Sequence, residues 1–360
     1  MSRLDEVTMS RSSLSDDLRK LDASLRPASE IVSRFADGAS QGKRWAIVLA
    51  GGDGKRLLPM TRVVAGDDRP KQFCALVDAD TLLERTRKRA ERSVPPERTL
   101  FALTRDHSRF YLKESGIRAS QRIVQPSNKG TAAPIVYGLL SIEKHDPDAL
   151  VAVLPSDHHY SDEAAFTRTL NMAFDASAHH SGSVIIMGSP ARAAETEYGW
   201  IELGHTVEGG PKAAYRVRGF REKPPAPVAQ RLFEEGALWN TFVMVGRVRD
   251  FLEMVAAART GLLKAFPQDH LWNGSEVHLE EWLYSRIYNI DFSREVLSTQ
   301  ADKLLTLPLD VEWNDLGHPE RVLDVLQSSG QAPWWIKEWH GTRRPPAHAA
   351  AAGAAEAAVA

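Results

Sequence analysis

The sequence predicts an α/β protein built on a mostly parallel, mixed sheet flanked by helices. Three observations carry that prediction. Short apolar runs alternate with helix-like segments from Trp45 to about residue 188. The runs are continuously apolar rather than alternating, as expected of strands covered on both faces. The first of them, residues 46–50, opens directly into a glycine-rich turn, Gly51-Gly-Asp-Gly54, followed by Lys55 and Arg56. Strands and helices in this order build parallel crossovers.

Taken in order, residues 1–42 read as a helical extension. Leu14, Leu18, Leu21 and Leu25 recur at helical spacing, Pro27 interrupts, and Ile31, Val32 and Phe35 mark a second short helix. That extension is expected to pack on the body or on a second subunit, which makes a homodimer an expectation. The body spans 43–330. Its strands are predicted at 46–50, 99–104, 122–124, 150–154 and 183–188, with helices at 82–92, 131–144 and 162–178. After Ser189 the rhythm changes to strands at 198–203, 214–221 and 241–246, a smaller β sub-structure laid over the sheet's active edge. Helices at 248–258 and 277–288 follow, then a strand at 304–308, the segment Trp313-Asn-Asp-Leu-Gly317 and a helix at 319–327. Residues 331–360 read as a tail that runs into Arg-Arg-Pro-Pro and then almost all Ala, low in complexity and expected to be disordered at its end. The sequence holds no internal repeat.

Composition narrows the function class. The 360 residues are 43% hydrophobic and 26% charged, with a formal net charge of -2. That balance fits a packed core and gives no footprint for nucleic acid or an anionic membrane surface. No apolar run reaches the ~20 residues of a membrane helix, and the first residues carry no leader pattern, so a cytoplasmic protein is expected. The single cysteine, Cys74, excludes an internal disulfide and reads as a small core residue.

The chemistry concentrates around the glycine turn. Glycines let a backbone bring several N–H groups up to an anion, and Lys55, Arg56 and Lys71 add positive charge within one loop's reach. The pattern lacks the Gly-Lys-Ser/Thr of a Walker loop and the third glycine of a dinucleotide fingerprint. A nucleoside triphosphate site is the expectation. Asp157 ends an apolar strand, where open α/β sheets bind ligands, and Asp315 follows the last strand. Two carboxylates converging from distant strand ends can hold one Mg²⁺ through hard oxygens. His158 and His159 have no third ligand at a zinc spacing, and His158 reads as a structural residue.

Leu49-Ala-Gly-Gly-Asp-Gly-Lys-Arg-Leu-Leu-Pro-Met-Thr61, followed by Arg69-Pro-Lys-Gln-Phe73, resembles the signature of the sugar-nucleotide pyrophosphorylases, the sugar-phosphate nucleotidyltransferases. Gln125-Pro-Ser-Asn-Lys-Gly-Thr-Ala132, Leu154-Pro-Ser-Asp-His158, Glu197-Tyr-Gly-Trp200, Phe220-Arg-Glu-Lys-Pro224, Trp239-Asn240 and Trp313-Asn-Asp315 agree in family order, over residues 45–327. The forms Pro-Lys-Gln-Phe, Gln-Pro-x-Asn-x-Gly-Thr-Ala and Pro-Ser-Asp-His are most similar to those of mannose-1-phosphate guanylyltransferases. The resemblance implies a Rossmann-like fold and the Mg²⁺-dependent conversion of GTP and mannose 1-phosphate to GDP-mannose and pyrophosphate. Many relatives append a β-helix or an isomerase domain after the catalytic one; this chain has no room for either, so no C-terminal β-helix is expected.

On the same resemblance Gly51, Gly52, Gly54, Lys55, Arg56, Gln125, Asn128, Gly130 and Thr131 would bind the nucleotide. Tyr198, Gly199, Glu222, Lys223 and Asn240 would take the sugar phosphate. Arg56, Lys71, Asp157 and Lys223 would act at the reacting phosphates, and Asp157 and Asp315 would hold the metal. Two departures bear on sugar selectivity rather than catalysis: Phe242 stands where relatives commonly have Gly, and Glu312 where they often have Gly. Two alternatives stand beside this reading. One is transfer to another sugar 1-phosphate or from another nucleotide; the other is a sugar-nucleotide-sensing subunit without catalysis.

Overall fold

A computed structural model describes residues 43–114, 116–207, 214–258 and 260–342. The leucine-spaced helix at 14–25, the segment around Phe35 and the alanine-rich end lie outside the described residues.

Strand β1 (Arg44–Leu49) lies inside a ten-stranded mixed sheet. The other strands are β2 (Thr99–Thr104), β3 (Arg122–Gln125), β4 (Leu150–Pro155), the short β5 (His159–Tyr160), β6 (Val184–Pro190), β7 (Gly199–Thr206), β8 (Tyr215–Glu222), β9 (Leu238–Arg247), β10 (Val277–His278), β11 (Leu304–Pro308) and β12 (Trp313–Asn314). The sheet order is β10-β3-β2-β1-β4-β9-β6-β11-β8-β7, and β5 pairs with β12 in a separate ribbon. β1 runs parallel to both β2 and β4, and β2 to β3. The chain therefore leaves β1 toward one edge and returns to its other side at β4. That reversal opens a crevice at the carboxyl ends of β1 and β4, where open α/β sheets bind ligands.

The continuous apolar runs have the expected cause. Along β1, Trp45 and Ile47 enter one core, and Ala46 and Val48 enter the other. One face is covered by α3 (Ala132–His145) and α6 (Val248–Ala257). The other is covered by α2 (Leu82–Glu91) and α4 (Glu163–His179). Asp162 caps α4 by accepting from Ala164 N and Ala165 N at 2.8 and 2.9 Å.

The β sub-structure after Ser189 takes the form of an antiparallel pair, β7 and β8. It is hydrogen-bonded into the main sheet rather than laid over it: β8 pairs with β11, and β7 with β9. The helix expected at 277–288 is shortened. Buried Leu279, Leu283 and Ile287 keep a helical spacing, but Val277 and His278 join the sheet edge beside Ile123 and Val124, leaving a helix only over Glu281–Ser285.

A third apolar cluster lies outside the sheet. It joins α1 (Leu58–Ala65), α7 (Pro319–Ser328) and α8 (Ile336–Thr342) through Leu57, Met60, Cys74, Leu316, Val325 and Trp339. The packed body therefore continues past residue 330, with Trp335 fully buried. Burial pushes the Cys74 thiol up to about 12, so the cysteine is a neutral core residue there. This cluster fixes the segment carrying Lys71 against the loop carrying Asp315.

Candidate active site

The crevice at the switch point is a cleft of about 360 Å³. Three groups of the sequence-predicted residues line it. Gly51, Gly52, Gln125, Asn128, Gly130 and Thr131 form one end. Tyr198, Gly199, Glu222, Lys223 and Asn240 form the other, and Asp157 and Asp315 lie on the wall as well.

The glycine loop is held by side chains from both sides. Thr104 Oγ1 donates to Gly51 O (3.0 Å), and the buried Gln72 Nε2 donates to Ala50 O and Gly52 O (3.1 and 2.8 Å). A β-carbon on Gly51 would stand 2.8 Å from Thr104 Oγ1 and 2.9 Å from Gln125 Nε2, so the close approach requires glycine. Gly54 is left-handed, at φ 59. Gln125 is fixed by the Tyr284 hydroxyl, which donates to its Oε1 at 2.9 Å. Asn128 Oδ1 accepts from Gly130 N (3.0 Å), and Thr131 Oγ1 accepts from Phe292 N (2.8 Å). A β-carbon at Gly130 would stand 2.3 Å from Ile290 O. The 128–131 segment is thus locked to the 290–292 segment, which brings Asp291 and Ser293 to the cleft as well.

Lys71 is buried between the two acidic segments. Its ammonium donates to the carbonyls of Asp315 and Leu316 and stands 3.3 Å from Asp157 Oδ2. Asp315 Oδ1 accepts from the Tyr198 hydroxyl (3.0 Å), Arg321 Nη1 (2.8 Å) and Gly317 N (2.9 Å). Burial would raise this carboxyl, but Lys71 and Arg321 outweigh it and hold it below the ordinary range. Tyr198 is therefore an orienting partner of Asp315, with Arg321 stacked on its ring at 4.4 Å. Trp313 Nε1 donates to His158 Nδ1 at 3.2 Å, fixing the imidazole beside Asp157, and burial keeps that ring neutral.

At the other end, a β-carbon on Gly199 would meet Glu222 Oε2 at 2.7 Å and Asn240 Cβ at 3.3 Å, so glycine makes room for both side chains. Burial, reinforced by Asp291, pushes the Glu222 carboxyl up against the pull of Lys223, whose ammonium is 3.7 Å away. Three residues other than glycine have positive φ among the described residues: Lys223, Phe242 and Leu316, at 48, 62 and 48°. Lys223 and Phe242 line the cleft and Leu316 adjoins Asp315. Left-handed backbone costs such residues roughly 1–2 kcal/mol each, and strain of this kind collects at functional sites.

Lys55 and Arg56 stand apart from this convergence. Lys55 is exposed beside Asp53 (3.7 Å), and Arg56 reaches Glu197 Oε2 (2.9 Å) and His318 Nε2 (2.8 Å). Neither they nor Gly54 and Lys71 are among the cleft-lining residues. Gln72, Arg321, Glu197 and Asp291 are functional candidates that the residue-type reading passed over. Gln72 had a signal, since it lies between Lys71 and Phe73 in a quoted motif. Arg321 had none, because its meeting with Asp315 depends on the turn into α7.

The donor set fits a hard divalent cation. Asp157 lines the cleft with a partly exposed carboxylate, and Asp315 Oδ2 accepts no hydrogen bond among the described residues. No group of three such ligands occurs among the described residues. Mg²⁺ beside phosphates needs only one or two carboxylates, the remaining positions going to substrate oxygens and water.

Fold and cleft together define the class: an α/β protein with a cleft at the switch point of a mixed sheet. Residues 45–331 match the model of the nucleotidyl transferase family, and the chain belongs to that family. Among its relatives is the xanthan biosynthesis protein XanB of Xanthomonas campestris pv. campestris strain B100, 30% identical over 295 residues, which are 79% of this chain and 60% of XanB. The mannose-1-phosphate guanylyltransferase of Escherichia coli K12 is 30% identical over 291 residues, 77% of this chain and 59% of that protein. The chain thus spans about three fifths of the length of these curated relatives. A crystal structure from Thermus thermophilus, described as a mannose-1-phosphate geranyltransferase, superposes with a TM-score of 0.67 at 29% identity, covering 81% of this chain and 80% of that one. No helix among the described residues is long and apolar enough to cross a membrane.

Proposed function

We propose that this protein transfers guanylyl from GTP to mannose 1-phosphate, forming GDP-mannose and releasing pyrophosphate. The observation that carries the reading is convergence. Gly51 and Gly52, the 125–131 segment and the 199–240 segment are far apart in sequence, yet they line one cleft with two carboxylates between them. The choice of GTP and mannose is supported by the motif forms and by the guanylyltransferase named among the relatives.

In this reading an oxygen of the sugar's phosphate attacks the α-phosphorus of GTP in line, and the bond to the β-phosphate oxygen breaks. The attacking phosphate is largely dianionic near neutral pH, with a second pKa of about 6, so no general base is needed. The protein's task is positioning and charge neutralisation. The amides of Gly51 and Gly52 face the triphosphate, and Asn128, Gly130 and Thr131 frame the base. Lys71 holds Asp157 and the 315–316 carbonyls in place, Lys223 meets the sugar's phosphate, and Glu222 and Asn240 accept from and orient its hydroxyls. Arg56 reaches the leaving pyrophosphate by exchanging Glu197 for phosphate oxygens. Asp157 and Asp315 would hold Mg²⁺, which when bound supplies charge to the phosphates.

A pyrophosphate-release screen over four nucleoside triphosphates and several sugar 1-phosphates tests this. The expected result is the highest kcat/KM for GTP with mannose 1-phosphate. A higher value for another pair overturns the substrate assignment, and no release with any pair overturns the transfer reading.

A further inference from the structure

Phe242 stands on an irregular stretch of β9. Ile186 pairs with Met244 and Gly188 with Asn240, so between these pairs one residue of β6, Met187, faces three of β9, Thr241, Phe242 and Val243. The extra residues bulge, and bulges beside binding sites re-aim side chains. The bulge is fixed by its neighbours. Asn240 Oδ1 accepts from Phe242 N (3.0 Å), and the buried Thr241 hydroxyl donates to Met187 O (2.6 Å) and accepts from Val243 N (3.3 Å). None of these bonds needs a side chain at 242. The backbone there, at φ 62, is one that glycine adopts freely and phenylalanine resists. The ring is therefore kept against the local backbone preference.

The side chain lies at the end of the cleft formed by Gly199, Glu222 and Asn240, partly buried against the adjoining core. The polar groups at that end include the Glu222 carboxylate and the Asn240 amide, suited to sugar hydroxyls, and the Lys223 ammonium, suited to a phosphate. Phe242 is the large apolar surface among them. The cleft's volume is at the lower end of the range for small-molecule sites, although two substrates must share it. The benzyl group that phenylalanine adds over glycine is larger than an acetamido substituent.

We propose that Phe242 is a specificity-determining residue. Its ring walls the sugar end so that the cleft takes hexose 1-phosphates with a free 2-hydroxyl and turns away N-acetylhexosamine 1-phosphates, which carry the bulkier acetamido group there. The proposal rests on the nucleotidyl-transfer reading and deepens it.

The test compares wild type with Phe242→Gly, using GTP and matched panels of plain and N-acetylated hexose 1-phosphates, read as pyrophosphate release. The preference for plain over N-acetylated sugars should fall at least about tenfold in the variant, the scale set by pocket volume changes. The change should appear in the sugar-phosphate KM, with the KM for GTP unchanged. Phe242→Asn, a residue type that tolerates left-handed backbone, carries the same expectation if the glycine variant folds poorly. An unmoved preference in active variants overturns the inference and leaves the transfer reading standing. No release from wild type with any pair overturns both.

Discussion

At the end of the cleft where the glycine loop meets the 313–317 loop, charges are matched in pairs. Lys71 faces Asp157 and Arg321 bonds Asp315, while the Arg56–Glu197 pair is exposed at their margin. At the Glu222 end the balance is reversed. Glu222 and Asp291 are close enough for the second to raise the carboxyl of the first, Lys223 stands off at 3.7 Å, and the backbone at Lys223 and Phe242 is left-handed. The contrast separates two ways of building a site. The matched end is part of what holds the body together, since its pairs tie α7 and the 313–317 loop to the sheet. The unmatched end keeps charge and strain that a bound ligand would relieve, at a cost in stability. Changes at the first should lower stability and activity together. Changes at the second should separate them.

The largest effect is expected at Lys71. Lys71→Met leaves Asp157 and the 315–316 carbonyls without their shared cation. Breaking a buried pair costs roughly 3–5 kcal/mol, with the lower figure apt here because Asp157 is partly exposed. Turnover should fall about a thousandfold. A denaturant midpoint equal to wild type would break the comparison, because the matched end would then carry no stability.

Arg56→Ala should be nearly as damaging to turnover, roughly 10²–10³-fold, by analogy with the loss of one transition-state donor. Its stability should stay within about 1 kcal/mol of wild type, because the pair with Glu197 is exposed on both sides. A large drop in melting temperature would show that the Arg56 pair is structural in the way the Lys71 pair is.

These two residues also mark what the sequence made legible. The core strands and the glycine turn were readable because burial on both faces leaves a local trace, and because Gly51 and Gly130 stand where a β-carbon would collide. Asp157 was readable from its strand end and Asp315 from its place after the last strand, whereas Glu222 was placed at the cleft by the resemblance of its motif. Arg56 was readable as a cation, but its position was not. It depends on Glu197, 141 residues away, and on His318, 262 away. The helix expected at 277–288 was read from a spacing that is present, Leu279, Leu283 and Ile287. Its first residues were claimed by an unpaired sheet edge, which no local pattern announces. The α8 helix did leave a trace, Trp335 and Trp339 one turn apart, obscured by the low-complexity sequence that follows.

Glu222→Gln tests the unmatched end. Losing a charged acceptor should raise the KM for mannose 1-phosphate about tenfold, the low side for a hydrogen bond to a charged group. Stability at neutral pH should hold or rise. A carboxyl raised on folding binds its proton more tightly in the folded state, so ionised Glu222 destabilises at neutral pH and the penalty fades as pH falls through its raised value. Asp315 has the opposite sign. Its lowered carboxyl contributes stability above the ordinary carboxylate range, and that contribution is lost as pH falls through its lowered value. Against wild type, Glu222→Gln should therefore lose its stability advantage on acidification, and Asp315→Asn its deficit. Thermal melts from neutral to acid pH read both, and parallel curves would erase the difference between the two ends.

The smallest effect sharpens the boundary of the matched end. Arg56 Nη1 and His318 Nε2 both stand at Glu197 Oε2, at 2.9 and 2.7 Å. His318, then Arg56, hold the Glu197 carboxyl below its ordinary range, so it is ionised throughout the neutral region and competes with phosphate for the guanidinium. Glu197→Gln removes that competition and keeps the shape. An exposed ion pair is worth at most about 1 kcal/mol, so the KM for GTP should fall by no more than about fivefold, with turnover close to wild type. The gain should shrink in high salt, where an exposed pair is already screened. A rise in the GTP KM would mean that Glu197 aims Arg56 at the nucleotide rather than holding it back, and would place the arginine among the orienting pairs of the matched end.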